Sequence, residues 1–401
     1  MSNVLPCHES PRRLPGWQVA LFTAGTGFSV ANVYYAQPLL DTLGTTYGLR
    51  SASLGTVIFA TQLGCLLALL FVVPLGDRLN RRRLMRAQLL ALIASLLLVA
   101  VAPSATMLML AMLLTGLTGT AMTQGMIAYA AAAAPEETRG QTVGAVSAGV
   151  VVGLLLARVF AGTVSDVAGW RSVYLSSALM MTLLAAVLWG RLPDLASQKT
   201  DGGPAPLVSL WRLLHRHRQL QIRGVLALLM FASFAIFWSA LVLLLTPPPW
   251  NLSHGQTGAL GLVGAASALI ASRAGRRVDR GLARSNTRFA LLILLLSWLP
   301  LWLGEHSLPL LIIGIFLLDA GGQALHVTSQ SLLLGGRNGD GSQLIAAYML
   351  FYSAGSGLGA LVSTQAFAHG GWPAVCLAGA ITSLLALIFG LSTQSHEVKN
   401  G

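Results

Sequence analysis

Apolar residues run along this chain in long blocks separated by short polar breaks. A bilayer core about 30 Å thick needs about 20 apolar residues per crossing helix. Blocks of that kind cover residues 16–40, 51–73, 84–103, 105–131, 141–164, 171–190, 223–246, 257–273, 286–304, 308–332, 344–367 and 373–393. Twelve spanning helices are therefore predicted. The eighth block is short and rich in glycine, which blurs its ends. The first starts at Gly16, carries polar residues along its length and has no small-residue cleavage site. It is expected to be a retained helix and not a removed leader.

Composition points the same way. The 401 residues are 55% hydrophobic and 9% charged, with a mean hydropathy of +0.71. Soluble domains carry roughly 25% charged residues. Too few charges exist to cover a soluble surface, which excludes a cytosolic enzyme, a disordered chain and a secreted disulfide scaffold. Cys7, Cys65 and Cys376 are scattered and form no CxxC pair. Neither a disulfide framework nor a zinc site is expected. The two cysteines inside apolar blocks read as small hydrophobes.

The net charge of +12 would suggest nucleic acid in a soluble chain. Position changes that reading. Of the 25 Lys and Arg, 22 fall in the tails and in the breaks after even-numbered spans. They include Arg78, Arg81, Arg82, Arg83 and Arg86 after span 2, Arg212, Arg216, Arg218 and Arg223 before span 7, and Arg273, Arg276, Arg277, Arg280, Arg284 and Arg288 after span 8. The opposite side holds Arg50 and Arg171, and Arg158 lies within span 5. This bias predicts that both termini are cytoplasmic. It also accounts for the basic balance without nucleic acid.

The chain repeats itself. Asp77-Arg78 recurs as Asp279-Arg280, and Gly169-Trp170 as Gly371-Trp372, both at an offset of 202. Gln141 and Gly153 match Gln343 and Gly355 at the same offset of 202. Six spans separate the copies, so the repeats are parallel, related by an axis along the membrane normal. The expected division is a six-helix half at 1–190, a linker at 191–222 and a second half at 223–401. In the linker, Leu207, Leu210, Trp211 and Leu214 share one helical face, opposite Arg212, His215, Arg216 and Arg218. Either a surface helix on the membrane or a solvated basic linker fits this pattern.

At this point the residues resemble the major facilitator superfamily. The break after span 2 reads Pro74-Leu75-Gly76-Asp77-Arg78-Leu79-Asn80-Arg81-Arg82-Arg83, and a looser copy reads Gly275-Arg276-Arg277-Val278-Asp279-Arg280-Gly281. Span 1 ends in Asn32-Val33-Tyr34-Tyr35-Ala36-Gln37-Pro38, and span 5 carries Ala157-Arg158 followed by Gly162. These look like a bacterial efflux-type branch related to drug–proton antiporters. The resemblance implies an all-α, twelve-helix transporter whose halves rock about a midplane site, with spans 1, 4, 7 and 10 lining the central cavity. It also implies that Asp77 and Asp279 face a helix N-terminus of the other half when the cytoplasmic side is closed. Gly76, Asp77, Arg78, Arg81, Asp279 and Arg280 are then gating residues, with Glu136 and Glu137 as partners for Arg78 or Arg81. The bland alternative is that these arginines act only as a topology signal. Leu154 stands where the antiporter pattern has proline, which leaves the direction of transport open. The break at 335–341 is rich in glycine and poor in cations.

Polar groups at membrane depth are costly, so each is a functional candidate. Asp319, Gln323, His326 and Gln330 occupy one face of span 10. Asp319 lies near its middle, where low dielectric favours the neutral acid and suits a proton carrier. His326 is a candidate relay or substrate ligand. Arg158 is expected near the level of Asp41, as an outer-end brace or a partner for an anionic substrate or gate. Asn32, Tyr35, Gln62, Gln124 and Tyr348 are further cavity candidates. Phe231, Phe234 and Trp238 form a stripe suited to an aromatic drug or to packing. For all of these, interhelical packing and hydrogen bonding are the plain alternative. Gly149-x3-Gly153, Gly355-x3-Gly359 and the glycines Gly258, Gly261 and Gly264 predict close helix approach.

The leading expectation is a proton-coupled exporter of a small organic molecule in the bacterial inner membrane. A facilitator or importer on the same fold is the alternative. No HExxH or Walker A sequence exists, and Ser356 between Gly355 and Gly357 resembles a packing site more than a nucleophile. An enzyme is not expected, and no charge ring suggests a channel. No metal and no cofactor beyond a coupling proton is expected. The expected partners are the bilayer and a small-molecule substrate, with no nucleic acid and a monomeric state.

Overall fold

The computed structural model describes residues 15–77, 79–192, 212–335 and 341–399. Helices account for nearly all of them, and no strand occurs among the described residues. Helix α1 is Gly16–Tyr34, α2 is Gly55–Leu67, α3 is Arg81–Val101 and α4 is Ala105–Ala133. Then follow α5, Arg139–Ala168, α6, Trp170–Arg191, α7, Arg218–Leu245, and α8, Val263–Asp279. Helix α9 is Ala283–Leu296 and α10 is Leu308–Leu334. The helical stretch Gly341–Lys399 breaks at Gly370 and Gly371 into α11 and α12. These are the twelve spans read from hydropathy.

Local chemistry sets the ends. Asn80 accepts from the Arg83 amide to cap α3, and Ser104 accepts from the Met107 amide to cap α4. Gly169 and Gly371, one repeat apart, both have positive φ, at 81° and 63°. A side chain is strained there, so glycine turns the chain between α5 and α6 and between α11 and α12. The tryptophan after each glycine is buried, and its indole N–H finds an acceptor. Trp170 donates to Thr46 Oγ1 at 3.2 Å and Trp372 to the Leu301 carbonyl at 2.9 Å. The repeat seen in sequence is thus a repeat in structure.

Three boundaries differ from the hydropathy reading. Span 1 is not continuous to residue 40: α1 stops at Tyr34, a tight turn holds Gln37–Leu39, and a short helix Leu40–Tyr47 follows. Pro38 has no amide hydrogen to continue the ladder. Span 8 is entered by a short helix, His254–Ala259, and α8 itself runs on to Asp279, so Arg273, Arg276 and Arg277 are helical. Arg223, counted above among the loop cations, lies inside α7 and is buried; it donates to Thr287 Oγ1 at 3.0 Å. Most of the linker, including Leu207, Leu210 and Trp211, lies outside the described residues. Residues 212–216 are helical, with Arg212, His215 and Arg216 exposed.

Each half has its own apolar core, one around Leu39, Leu92, Met126 and Tyr174, the other around Phe237, Leu294, Trp298 and Trp372. The outside is also apolar. Leu90, Leu97, Leu179, Leu183, Leu292, Leu296, Leu385 and Ile388 are all exposed. So much exposed aliphatic surface matches a hydrocarbon solvent.

The breaks after α2 and α8, with Arg81, Arg82 and Arg83 and with Arg276, Arg277 and Arg280, follow even-numbered helices and lie on one side of the bundle, called here the basic face. The halves meet toward the opposite face. There α5 packs on the start of span 8: a methyl group on Gly258 would strike the Arg158 carbonyl, and one on Gly162 would strike the His254 carbonyl. Ala52 and Gly55 bond to α11, through Gln365 Nε2 to the Ala52 carbonyl at 3.1 Å and the Gly55 amide to Thr364 Oγ1 at 3.0 Å. Nearer the basic face of α5, Gly140 and Gly144 look onto open space. The contacts between the halves named here lie toward the face opposite the arginine-rich breaks.

Candidate functional site

The seam between α5, α8 and α10 brings Arg158 and Asp319 near each other. Glycines make it tight. A side chain at Gly264 would collide with Asp319 Oδ2 and would touch Leu155 of α5. Asp319, on α10, is buried at that contact. Arg158, on α5 of the other half, is its electrostatic neighbour.

Arg158 sits near the turn that precedes Asp41. Its Nε and Nη2 donate to Gln37 Oε1 at 3.2 and 3.0 Å, and not to Asp41. Its guanidinium carbon lies 3.9 Å from the centroid of the Trp238 ring on α7 and 6.0 Å from that of Tyr34. The proline turn at Gln37–Leu39 delivers the Gln37 acceptor. A small cavity beside this group is lined by Gln37, Pro38, Arg158, Trp238 and Thr257. The Thr257 hydroxyl is buried there without a hydrogen-bond partner among the described residues.

The α10 stripe divides in two. Asp319 forms its closed end, whereas Gln323, His326 and Gln330 are half-buried on the partly open face. His326 Nδ1 pairs with Tyr348 Oη at 2.9 Å, and its ring meets Phe231 edge-on at 5.3 Å. Phe231 also packs edge-on against Tyr352 at 3.9 Å and near Phe234 at 6.1 Å. Trp238, the third member of that stripe, serves Arg158 instead. Gln124 on α4 is half-buried. Gln62 on α2 is buried against Gly357 of α11, and its Oε1 has no partner among the described residues.

Two cavity candidates make their contacts within their own half. Asn32 points into its own half, where Ser177 of α6 donates to its Oδ1 and its Nδ2 donates to the Phe28 carbonyl. Tyr35 is buried against Phe160 and Tyr174. Both are satisfied core groups, because the face of a helix that meets its own bundle also needs polar partners. Tyr348 is fully buried, so it supports His326 from behind and does not line open space.

The proposed gate residues that are described lie on the basic face. Gly76 is in the tight turn Val73–Asp77, and Arg81 opens α3 and donates to the Ala128 carbonyl at 3.2 Å. Glu136, Glu137, Asp279 and Arg280 are exposed. Arg78 and the side chain of Asp77 lie outside the described residues.

One cluster escaped the sequence reading. His254 reaches Asp41 with Nε2, at 3.0 Å to both carboxylate oxygens, and Asp166 with Nδ1 at 3.3 Å. The three come from segments that look like ordinary polar loop ends, so no local pattern marked them.

Known proteins resemble this chain in sequence and in fold. Residues 19–333 match the model of the family described as Major Facilitator Superfamily. The Escherichia coli O157:H7 protein named uncharacterized transporter YgaY is 40% identical over 383 residues, covering 96% of each chain. The probable transporter SCO4007 of Streptomyces coelicolor is 33% identical, covering 90% of this chain and 84% of its own. Among solved structures, a bacterial homolog of the human lysosomal transporter Spinster, inward-facing and unoccupied, superposes with a TM-score of 0.73 at 15% identity, over 94% of both chains.

Proposed function

Because the chain belongs to the major facilitator superfamily, and is a membrane transporter and not an enzyme, we propose that it exports a small organic molecule in exchange for protons. It works by alternating access, as a monomer, in the bacterial inner membrane with both termini in the cytoplasm. The placement of Asp319 carries this reading: a buried carboxyl at the seam between halves, electrostatically coupled to Arg158 across it. A proton on Asp319 removes the negative charge that Arg158 faces and weakens the attraction holding that seam. Loss of the proton restores it. Protonation and closure of the seam are then linked, as exchange requires.

Supporting features are independent. Contacts between the halves gathered toward one face fit one end of an alternating-access cycle. The cation bias of the breaks fits a cytoplasmic basic face. A helical bundle suits the inner membrane, since outer-membrane proteins are closed barrels. Residues 1–190 and 223–401 form the two moving halves, joined by 191–222. The half-open polar groups Gln124, Gln323, His326 and Gln330, beside Phe231 and Phe234, suit a substrate with an aromatic body and hydrogen-bonding groups.

The test is transport by purified protein in liposomes under an imposed pH gradient, with a substrate found by comparing compound susceptibility of cells with and without the protein. Asp319→Asn is expected to abolish proton-driven flux while the protein stays folded and monodisperse. Undiminished pH-driven flux in that variant would overturn the proton role.

A further inference from the structure

The face where the halves meet carries a second titratable group besides Asp319. His254 begins the short helix that leads into α8, in the second half. Asp41 lies on the short helix Leu40–Tyr47 and Asp166 near the end of α5, both in the first half. The imidazole therefore bridges the halves. Its side chain is 17% exposed, and those of Asp41 and Asp166 are 22% and 27% exposed, so water on that face reaches all three.

Both ring nitrogens point at carboxylate oxygens, and an ionised carboxylate only accepts hydrogen bonds. A neutral imidazole donates from one nitrogen and presents a lone pair at the other. In this arrangement that lone pair would face a carboxylate. Only the imidazolium, with two N–H groups, donates to both carboxylates at once. The backbone fixes the geometry: the amides of His254 and Gly255 donate to Asp166 at 3.0 and 2.8 Å, and Ser253 and Gln256 close a capping box on the same turn.

We propose that His254, between Asp41 and Asp166, is a proton-binding site that clasps the two halves on the face opposite the basic loops. The proton is its ligand, taken from the water on that face, and binding favours the closed form there. This rests on the alternating-access reading above, but not on Asp319.

The surroundings are consistent. From the short helix Leu40–Tyr47, Asp41 and Thr42 face the ring, Thr42 Oγ1 at 3.0 Å from Nε2. From α5 come Asp166 and the methyl of Thr163 against Gly255. The charged group of α5 nearer the core, Arg158, is held by Gln37 and Trp238. The α7 side chains beside this entry helix, Leu241 and Val242, are apolar. Arg171 of α6 lies over the Trp170 ring, 4.4 Å from its centroid. The hydrogen bond with Asp41 raises the His254 pKa above the ordinary imidazole range, burial opposes this, and the charges of Asp41 and Asp166 add to the rise. The closed form is therefore stabilised at low pH, and the clasp is lost as pH rises through that raised value.

The experiment is a spin-label distance measurement across this face, on full-length protein in lipid nanodiscs. Labels replace the exposed residues Arg50 and His369 in a cysteine-free background, and pH runs from about 5 to about 9, spanning the imidazole range. The parent is expected to gain short distances on acidification, with a midpoint above about 6.5. His254→Gln is expected to lose that transition, and Asp41→Asn to lower its midpoint by about one pH unit. A parent without pH-dependent distances, or a His254→Gln variant that keeps the parent midpoint, overturns the clasp. If His254→Gln does not fold, the midpoint in Asp41→Asn decides. Proton-driven flux in Asp319→Asn is scored separately, so failure of the clasp and failure of the Asp319 role give different results.

Discussion

The guanidinium of Arg158 stacks 3.9 Å from the ring centroid of Trp238, and the two residues belong to opposite halves. Stacking of this kind needs a planar cation, so lysine is not an equivalent. Desolvated cation–π contacts are worth about 2 kcal/mol. Arg158→Lys and Trp238→Phe are each expected to loosen the closed face, and the double variant to be little worse than the weaker single one. A double-mutant cycle on thermal unfolding checks this. Simple additivity would show that the two side chains are not coupled.

The seam glycines separate two roles. A methyl group on Gly258 meets the Arg158 carbonyl in the other half, whereas one on Gly153 meets the Gly27 carbonyl in its own half. Each clash costs about 1–3 kcal/mol. Gly258→Ala is expected to push the halves apart and expose a cysteine placed at the buried Thr257 position to a membrane-impermeant maleimide. Gly153→Ala is expected to lower the unfolding temperature without changing that labelling. Equal labelling rates in both variants would contradict this assignment.

How much of this was legible before the structure depends on the kind of signal. Span positions follow from solvent chemistry, so hydropathy finds them, and the offset of Gly169-Trp170 from Gly371-Trp372 reveals the repeat. Scarcity of charge also singles out Arg158 and Asp319. Which side of a helix faces the seam is a matter of packing, and depth alone does not reveal it. Asn32 and Tyr35, cavity candidates by depth, meet partners within their own half. His254 and Asp41 are 213 residues apart and lie at span ends, where polar residues are common. Arg223 sits at a boundary that hydropathy blurs, because the aliphatic part of an arginine packs as readily inside a helix end as outside it.

The repeat itself is open to measurement. Gly169 and Gly371 hold matching positive φ values between matching helices. With ψ of 161° and −156°, both lie in a positive-φ region essentially confined to glycine, where an L-residue costs about 1–3 kcal/mol. Gly169→Ala and Gly371→Ala are thus expected to destabilise by similar amounts, seen as similar losses in unfolding temperature. A loss confined to one of them would mean that the two turns carry unequal strain, against the structural equivalence of the halves.

The pair formed by His326 and Tyr348 tests whether the half-open face of α10 binds substrate. Tyr348 is buried and fixes the imidazole through Nδ1 at 2.9 Å. Removing this hydroxyl deletes one hydrogen bond, worth about 1 kcal/mol, and leaves the ring free to turn. Tyr348→Phe is expected to fold, to unfold at a slightly lower temperature and to raise the KM of counterflow while leaving the maximal rate close to that of the parent. His326→Ala is expected to raise KM further. Were His326→Ala to keep the parent KM, the imidazole would serve only to bridge helices α10 and α11, and the substrate contacts would fall to Gln323, Gln330 and Gln124. Were His326→Ala alone to raise it, the imidazole would act without needing its tyrosine partner.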